Sequence, residues 1–184
     1  MIERHHIITS GLPASGKTTI GLAIANELGL EMLDKDEILD GLFETQGVGG
    51  LEWRARLSRK ADEILRERAL ESQGAVISSW WRHPASTIDS GTRIEWLAEL
   101  PCELIEIHCV CTPETAAARF KTRTRHAGHL DHLKLDADLV TSFRQQSALG
   151  PLGVGRVIEV STESLVELPQ LVTQINGLFQ NRQR

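Results

Sequence analysis

Gly11-Leu12-Pro13-Ala14-Ser15-Gly16-Lys17-Thr18 places two glycines, a lysine and a hydroxyl at G-x-x-x-x-G-K-[ST] spacing, which is the pattern of a phosphate-binding loop. Each residue type has a reason to be there. The glycines let the backbone curl so that its N–H groups converge on phosphate oxygens, and a helix that starts at the lysine adds its positive end. Lys17 is expected to reach the β- and γ-phosphates, with the Thr18 hydroxyl joining a Mg²⁺ shell and Thr19 completing the nucleotide-contacting run. The alternative is a glycine-rich turn with a chance lysine. Phosphate binding alone does not separate kinases from ATPase switches.

Four other groups of residues could do chemistry. Asp34 and Asp36 lie around the end of a short apolar run, and Asp36 could also simply cap a helix that begins near Glu37. Arg119 and Arg123 are four apart, so on one helix they share a face, and Arg125 follows. The planar fork of arginine suits phosphate oxygens, although a basic helix end is also what the helix dipole favours. Trp80, Trp81 and Arg82 form a possible acceptor wall. Alternation would turn the two tryptophans opposite ways, leaving at least one in the core. His126, His129 and His132 form H-x-x-H-x-x-H, but on a helix the outer pair would stand about 120° apart, which counts against a zinc site.

The elements that must position these groups can be read from the pattern. His6–Ser10 predicts a strand, and Lys17–Leu28 a helix directly after the loop. Glu31–Asp34 predicts a strand and Asp36–Phe43 a helix, followed by a loop over Gln46–Gly50. Leu57, Ala61, Ile64, Leu65 and Ala69 recur at helical spacing, so Leu51–Ser72 reads as an amphipathic helix. Ala75–Trp80 predicts a strand, Thr92–Leu100 a helix closed by Pro101, and Glu103–Val110 a strand. Thr112-Pro113-Glu114 is a helix start, and that helix carries Arg119 and Arg123 before loosening near Gly128. Asp136–Gln146 predicts a helix, Arg156–Val160 a strand, and Leu165–Phe179 a closing helix that Pro169 interrupts. Strands alternating with helices imply a three-layer α/β/α fold on a parallel sheet of about five strands, with ligands at the carboxyl ends of the strands.

With 184 residues the arithmetic favours one domain, at roughly 100–200 residues each. The 41% hydrophobic fraction allows an ordinary core, and 24% charged residues fit neither disorder nor a fibre. A net charge of −5 lacks the overall basic footprint of a protein that mainly holds nucleic acid. No apolar run approaches the ~18–20 residues needed to span a bilayer, and the start MIERHHIITSG is too polar for a secretory signal, so a cytoplasmic setting is expected. Three cysteines, Cys102, Cys109 and Cys111, cannot all pair, and a buried-thiol reading in a reducing compartment follows.

GLPASGKTT, a second strand ending in LDKDEIL and a later helix RFKTRTR resemble the small P-loop kinases: shikimate- and gluconate-kinase-like enzymes, the kinase domain of polynucleotide kinase, and chloramphenicol phosphotransferase. As an arrangement of elements the resemblance covers most of the chain, although only the first motif is highly specific. It implies ATP and Mg²⁺ as cofactors, a helical lid over about 119–135, and a small-molecule acceptor. By position Asp36 matches the acid that orients or deprotonates the acceptor hydroxyl. Asp34 resembles the first acid of the D-x-D arrangement, which helps hold magnesium. Arg119 and Arg123 match lid arginines that neutralise the transferring phosphate, Arg119 also contacting ATP, while Trp80 and Arg82 would line the acceptor pocket.

The chain departs from the P-loop pattern at its third strand. Many relatives end that strand with an aspartate, but this chain has Ile77-Ser78-Ser79-Trp80-Trp81-Arg82. Either Asp34 supplies the magnesium contact, or Ser78 or Ser79 holds a water in that shell. The departure argues against an efficient standalone ATPase or an AAA-type motor. The leading expectation is a kinase acting on a small-molecule hydroxyl. A polynucleotide 5′-hydroxyl kinase and a non-catalytic ATP-binding switch are the alternatives, the first disfavoured by the lack of a Lys/Arg tract. Oligomeric state is not readable.

Overall fold

The apolar run at the start of the chain forms β1 (His5–Gly11), buried along nearly its whole length, as a strand covered on both faces must be. In this computed structural model, residues 5–134 and 138–180 are described. β1 is the centre of a five-stranded sheet of order β2-β3-β1-β4-β5, completed by β2 (Glu31–Asp34), β3 (Gly74–Ser78), β4 (Leu104–Val110) and β5 (Arg156–Ser161). Every pairing is parallel. The register lines up the carboxyl ends: Asp34 lies beside Ser78, Ser78 beside Thr9, and Ser10 beside His108.

Alternation along the strands divides the core. Ile7, Val76, Ile105 and Ile107 pack on one face against Ile20 and Ile24 of α1 (Lys17–Leu28) and Ile175 of α6 (Leu168–Gln180). Ile8, Ile77 and Leu104 pack on the other face against Leu65 and Ala69 of α3 (Leu51–Glu71), together with Trp81. The three-layer expectation holds. α2 (Lys35–Gln46) joins α3 through Leu39, Phe43, Leu57 and Ala61. α4 (Pro113–Thr122) packs with α5 (Leu139–Ser147) through Phe120 and Phe143. Among the described residues, no helix is long and apolar enough to cross a membrane.

Four expectations change. Thr92–Leu100 is not one helix: the Thr92 N–H donates to Trp80 O and its carbonyl accepts from Arg82 N–H, both at 2.8 Å. With both backbone groups engaged in a strand-like bridge, helix begins only at Glu95, as a 3₁₀ segment to Glu99. α4 ends at Thr122, with Arg123 already extended at φ −69°, ψ 143°. The Thr122 hydroxyl bonds back to the Ala118 and Arg119 carbonyls, a local competition that favours ending the helix. Arg119 and Arg123 therefore do not share a helix face. β3 stops at Ser78, two residues before Trp80, and α6 starts at Leu168 with Pro169 in its first turn rather than interrupting it. Asp138 caps α5 by accepting from Thr141 N–H at 3.0 Å, while the expected start at Asp136 and the end of the expected lid lie outside the described residues.

Candidate active site

The phosphate-loop sequence joins β1 to α1, with Gly11 at φ +123°, Ala14 at +62° and Gly16 at +92°. A Cβ at Gly11 would run into the Cys109 carbonyl of the neighbouring strand, so this position requires glycine for space as well as conformation. Gly16 caps α1 in the left-handed region, and Lys17 opens the helix. The Lys17 ammonium donates to the carbonyls of Gly11 (3.0 Å) and Leu12 (2.7 Å). Burial pulls its pKa below the ordinary lysine value, opposed by the field of Asp36 and Asp34.

Asp34, at the end of β2, is 6% exposed and carries two structural bonds. Its Oδ2 accepts from the Thr18 hydroxyl at 2.6 Å, and its Oδ1 accepts from Asp36 N–H at 2.8 Å. Burial raises its pKa, with the Thr18 hydrogen bond acting in the opposite direction. The helix cap that is the alternative reading of Asp36 is thus made by Asp34, because α2 begins at Lys35, two residues before Glu37. Asp36 stands in the first turn with a half-exposed side chain, its Oδ2 2.5 Å from the Arg125 guanidinium.

The arginines reach the same cleft by different routes. Arg119 donates to Thr162 O at 2.7 Å, tying α4 to the end of β5. Arg123 bonds Asp131 at 2.8 Å and lies over the Phe120 ring, 4.0 Å from its centroid. Together with Lys17, Thr18, Asp34 and Asp36 they line an open cleft of about 1200 Å³. The mix of basic nitrogens, hydroxyls and two carboxylates can hold a phosphate chain and a hard cation at one end and a hydroxyl at the other.

The two tryptophans part beyond the end of β3. Trp81 is buried and donates its indole N–H to Thr9 O at 2.8 Å, whereas Trp80 is 39% exposed and borders the cleft. Arg82 does not enter the cleft: it pairs with Asp89 and borders a smaller cavity instead. Cys109 and Cys111 are buried free thiols, and the half-buried Cys102 sulfur lies 3.1 Å from His6 Nδ1. His126 stacks on Phe43 at 5.2 Å between centroids, and His129 meets the edge of the same ring. His129 Nε2 lies 2.6 Å from Asp40 Oδ1. His132 is exposed, in a 3₁₀ turn.

Two clusters escaped the sequence reading. Lys35, 8% exposed, donates to Asp62 at 2.7 Å and to the Thr92 hydroxyl at 3.1 Å, and Thr92 also bonds Ser79 at 2.5 Å. The available signal was Asp62 next to the core position Ala61. Glu106, 0% exposed inside β4, accepts from the Ser10 hydroxyl and from three backbone N–H groups of Leu152, Gly153 and Val154. An acid flanked by Ile105 and Ile107 was the signal there.

The family model for the AAA domain matches residues 7–142. A shikimate kinase of Actinobacillus pleuropneumoniae is 30% identical over 87 residues, covering 43% of this chain and 46% of that protein, so the chain spans less than half the length of this relative in the match. Among solved structures, a protein of proposed kinase activity from Chloroflexus aurantiacus superposes with a TM-score of 0.78 at 24% identity, over 95% of this chain and 98% of that one. Shikimate kinase from Acinetobacter baumannii, in complex with shikimate, gives 0.59 at 16% identity over 97% and 94%. These likenesses carry the fold, and the missing acid at the end of β3 stands beside them as a departure. The match over most of the chain settles membership: the chain belongs to the AAA domain family, in the α/β fold shared with small P-loop kinases.

Proposed function

We propose that the protein is an ATP-dependent phosphotransferase that moves the γ-phosphate to a hydroxyl of a small-molecule acceptor. The observation that carries this reading is the convergence, in one cleft, of Lys17, the Thr18–Asp34 hydrogen bond and the separate carboxylate of Asp36. A switch needs the first two alone. A transferase also needs a group that can take a proton from an acceptor, and Asp36 is that group.

The loop amides and Lys17 hold the β- and γ-phosphates, Arg119 contacts ATP, and Arg119 and Arg123 neutralise the charge that spreads over the phosphoryl oxygens during transfer. Mg²⁺ fits the all-oxygen donors Thr18 Oγ1 and Asp34, already 2.6 Å apart, and would supply charge screening of the phosphates there. Asp34 thus takes the place of the acid absent from β3. Asp36 orients the acceptor hydroxyl and accepts its proton, which requires the acceptor to displace the Arg125 contact. Trp80 borders the acceptor end of the cleft, and the segment over about 119–135 serves as the lid.

ATP consumption measured without acceptor and with a panel of hydroxylated ring acids, sugar acids, sugars, antibiotics, nucleosides and oligonucleotides tests the proposal. A small molecule is expected to raise turnover well above the slow basal rate. Basal hydrolysis unaffected by every acceptor would identify a switch, and stimulation by oligonucleotide ends alone would identify a polynucleotide kinase.

A further inference from the structure

A second cavity, of about 90 Å³, lies on the other side of the phosphate loop: it touches Gly11 and Leu12, where the main cleft touches Lys17 and Thr18. It opens at the carboxyl ends of β1 and β4. Its walls are in part aromatic and apolar, with Trp80, Trp81, Ile88, Leu149 and Leu152, and polar side chains share the lining, His108 among them. No step of the proposed phosphoryl transfer uses it. A single water needs about 10–15 Å³ by this measure, so the space suits a molecule of several heavy atoms.

A buried relay fixes the hydrogen-bonding character of His108. Glu106 is fully buried and accepts the only hydroxyl hydrogen of Ser10, at 2.6 Å. Ser10 Oγ, 2.8 Å from His108 Nδ1, can then only accept, so Nδ1 carries the ring proton and Nε2 carries the lone pair. Among the described residues Nε2 has no hydrogen-bond partner. The neighbouring His83 and Arg82 are already engaged. His83 Nε2 bonds Pro151 O and its Nδ1 accepts from Ala85 N–H, both at 3.0 Å, while Arg82 is held by Asp89. The charged and titratable groups acting on His108 are Glu106 on its own strand, Glu159 of β5, Lys17 of α1 and His83; burial dominates and keeps the imidazole below its ordinary pKa of 6.5.

We propose that this cavity is a second ligand site, which takes a single planar aromatic ring bearing one hydroxyl or N–H that donates to His108 Nε2. The ring packs against the tryptophan-rich wall, and its donor meets the lone pair of His108 Nε2. A ligand without the donor would leave Nε2 desolvated and unpaired, which sets the selectivity.

The test titrates phenol, benzene and cyclohexanol into the full chain saturated with a non-hydrolysable ATP analogue at pH 7.5, following tryptophan fluorescence and NMR shifts. Phenol is expected to bind saturably, at least tenfold tighter than either comparator, with shifts at Trp80, Ile88 and Leu149. Leu149→Trp, which fills the cavity, should abolish binding, and His108→Phe should reduce phenol to the level of benzene. Phenol binding no tighter than benzene in the unmodified protein overturns the proposal whatever the variants do. Loss of phenol binding on adding the ATP analogue also overturns it, because the ring would then have been in the main cleft.

Discussion

Asp34 and Asp36 sit two residues apart, and the fold gives them different work. Asp34 is buried, caps α2 and holds the Thr18 hydroxyl, whereas Asp36 faces the cleft with a half-exposed carboxylate. Because the cap belongs to Asp34, Asp36→Asn removes charge and basicity without touching it. We expect that variant to melt like the parent and to lose about 10²–10⁴-fold in turnover, towards the low end because phosphoryl transfer has a loose transition state. Native turnover with the true acceptor would remove the base assignment. Lys17→Ala should abolish transfer and greatly weaken triphosphate binding, checked by calorimetric titration of ATP, and unchanged affinity would discard the phosphate-loop reading. The loop was legible because its geometry depends on residue types that nothing else can replace, as Gly11 against the Cys109 carbonyl shows. The division of labour between the aspartates was not, since it turns on whether α2 starts at Lys35 or at Glu37, a shift that propensity does not resolve.

The segment from α4 to Asp131 is latched to α2 and α3 by several contacts. Arg125 pairs with Asp36, His129 bonds Asp40, and Arg54 of α3 donates to His129 O at 3.0 Å. Arg119→Ala and Arg123→Ala should cut turnover more than they lower the melting temperature; full activity in both would make these arginines ordinary surface charge. The latch also carries a pH dependence. His129 is 1% exposed, and its Nδ1 is buried with no hydrogen-bond partner among the described residues, so a second ring proton has nowhere to go. Burial, with a smaller push from Arg125, holds its pKa below the ordinary 6.5 against the pull of Asp36 and Asp40. The unfolded chain therefore takes up that proton first as pH falls, so this contribution to stability is full above the unfolded value and is lost progressively below it. His129→Gln can keep a donor for Asp40 but cannot titrate. Urea unfolding between pH 8 and 5 should show a shallower fall in stability for that variant, and an identical slope would assign the pH dependence elsewhere. Strands and long helices could be read at this scale because burial imposes period and composition. The end of α4 and the bridge at Thr92 could not, because each is decided by hydrogen bonds to particular backbone groups.

At the scale of the whole molecule, the strand order places β1 between β3 and β4, so the phosphate loop emerges at the centre of the sheet with Asp34 and β5 on opposite sides. An alternating run of strands and helices predicts the parallel sheet but not this order, which depends on which crossovers pack against which face. Glu106 shows what holds the arrangement on the α3 face. Its carboxylate receives the Ser10 hydroxyl from β1 and the N–H groups of Leu152, Gly153 and Val154, at 2.6, 2.8, 2.9 and 3.3 Å, and so ties the central strand to the segment leading into β5. Replacing it with a hydrophobic residue of similar size would fill the volume and still leave those donors buried and unmatched. Each unmet buried donor costs about 1–3 kcal/mol, so Glu106→Leu should lose at least ~3 kcal/mol, or roughly 6–12 °C in melting temperature for a chain of this size. Glu106→Gln keeps one acceptor oxygen and should lose distinctly less. Urea denaturation of both variants makes the comparison. Equal losses would mean that shape rather than hydrogen bonding governs the site, while a stable Glu106→Leu protein would show that the 151–154 segment finds its place without the carboxylate.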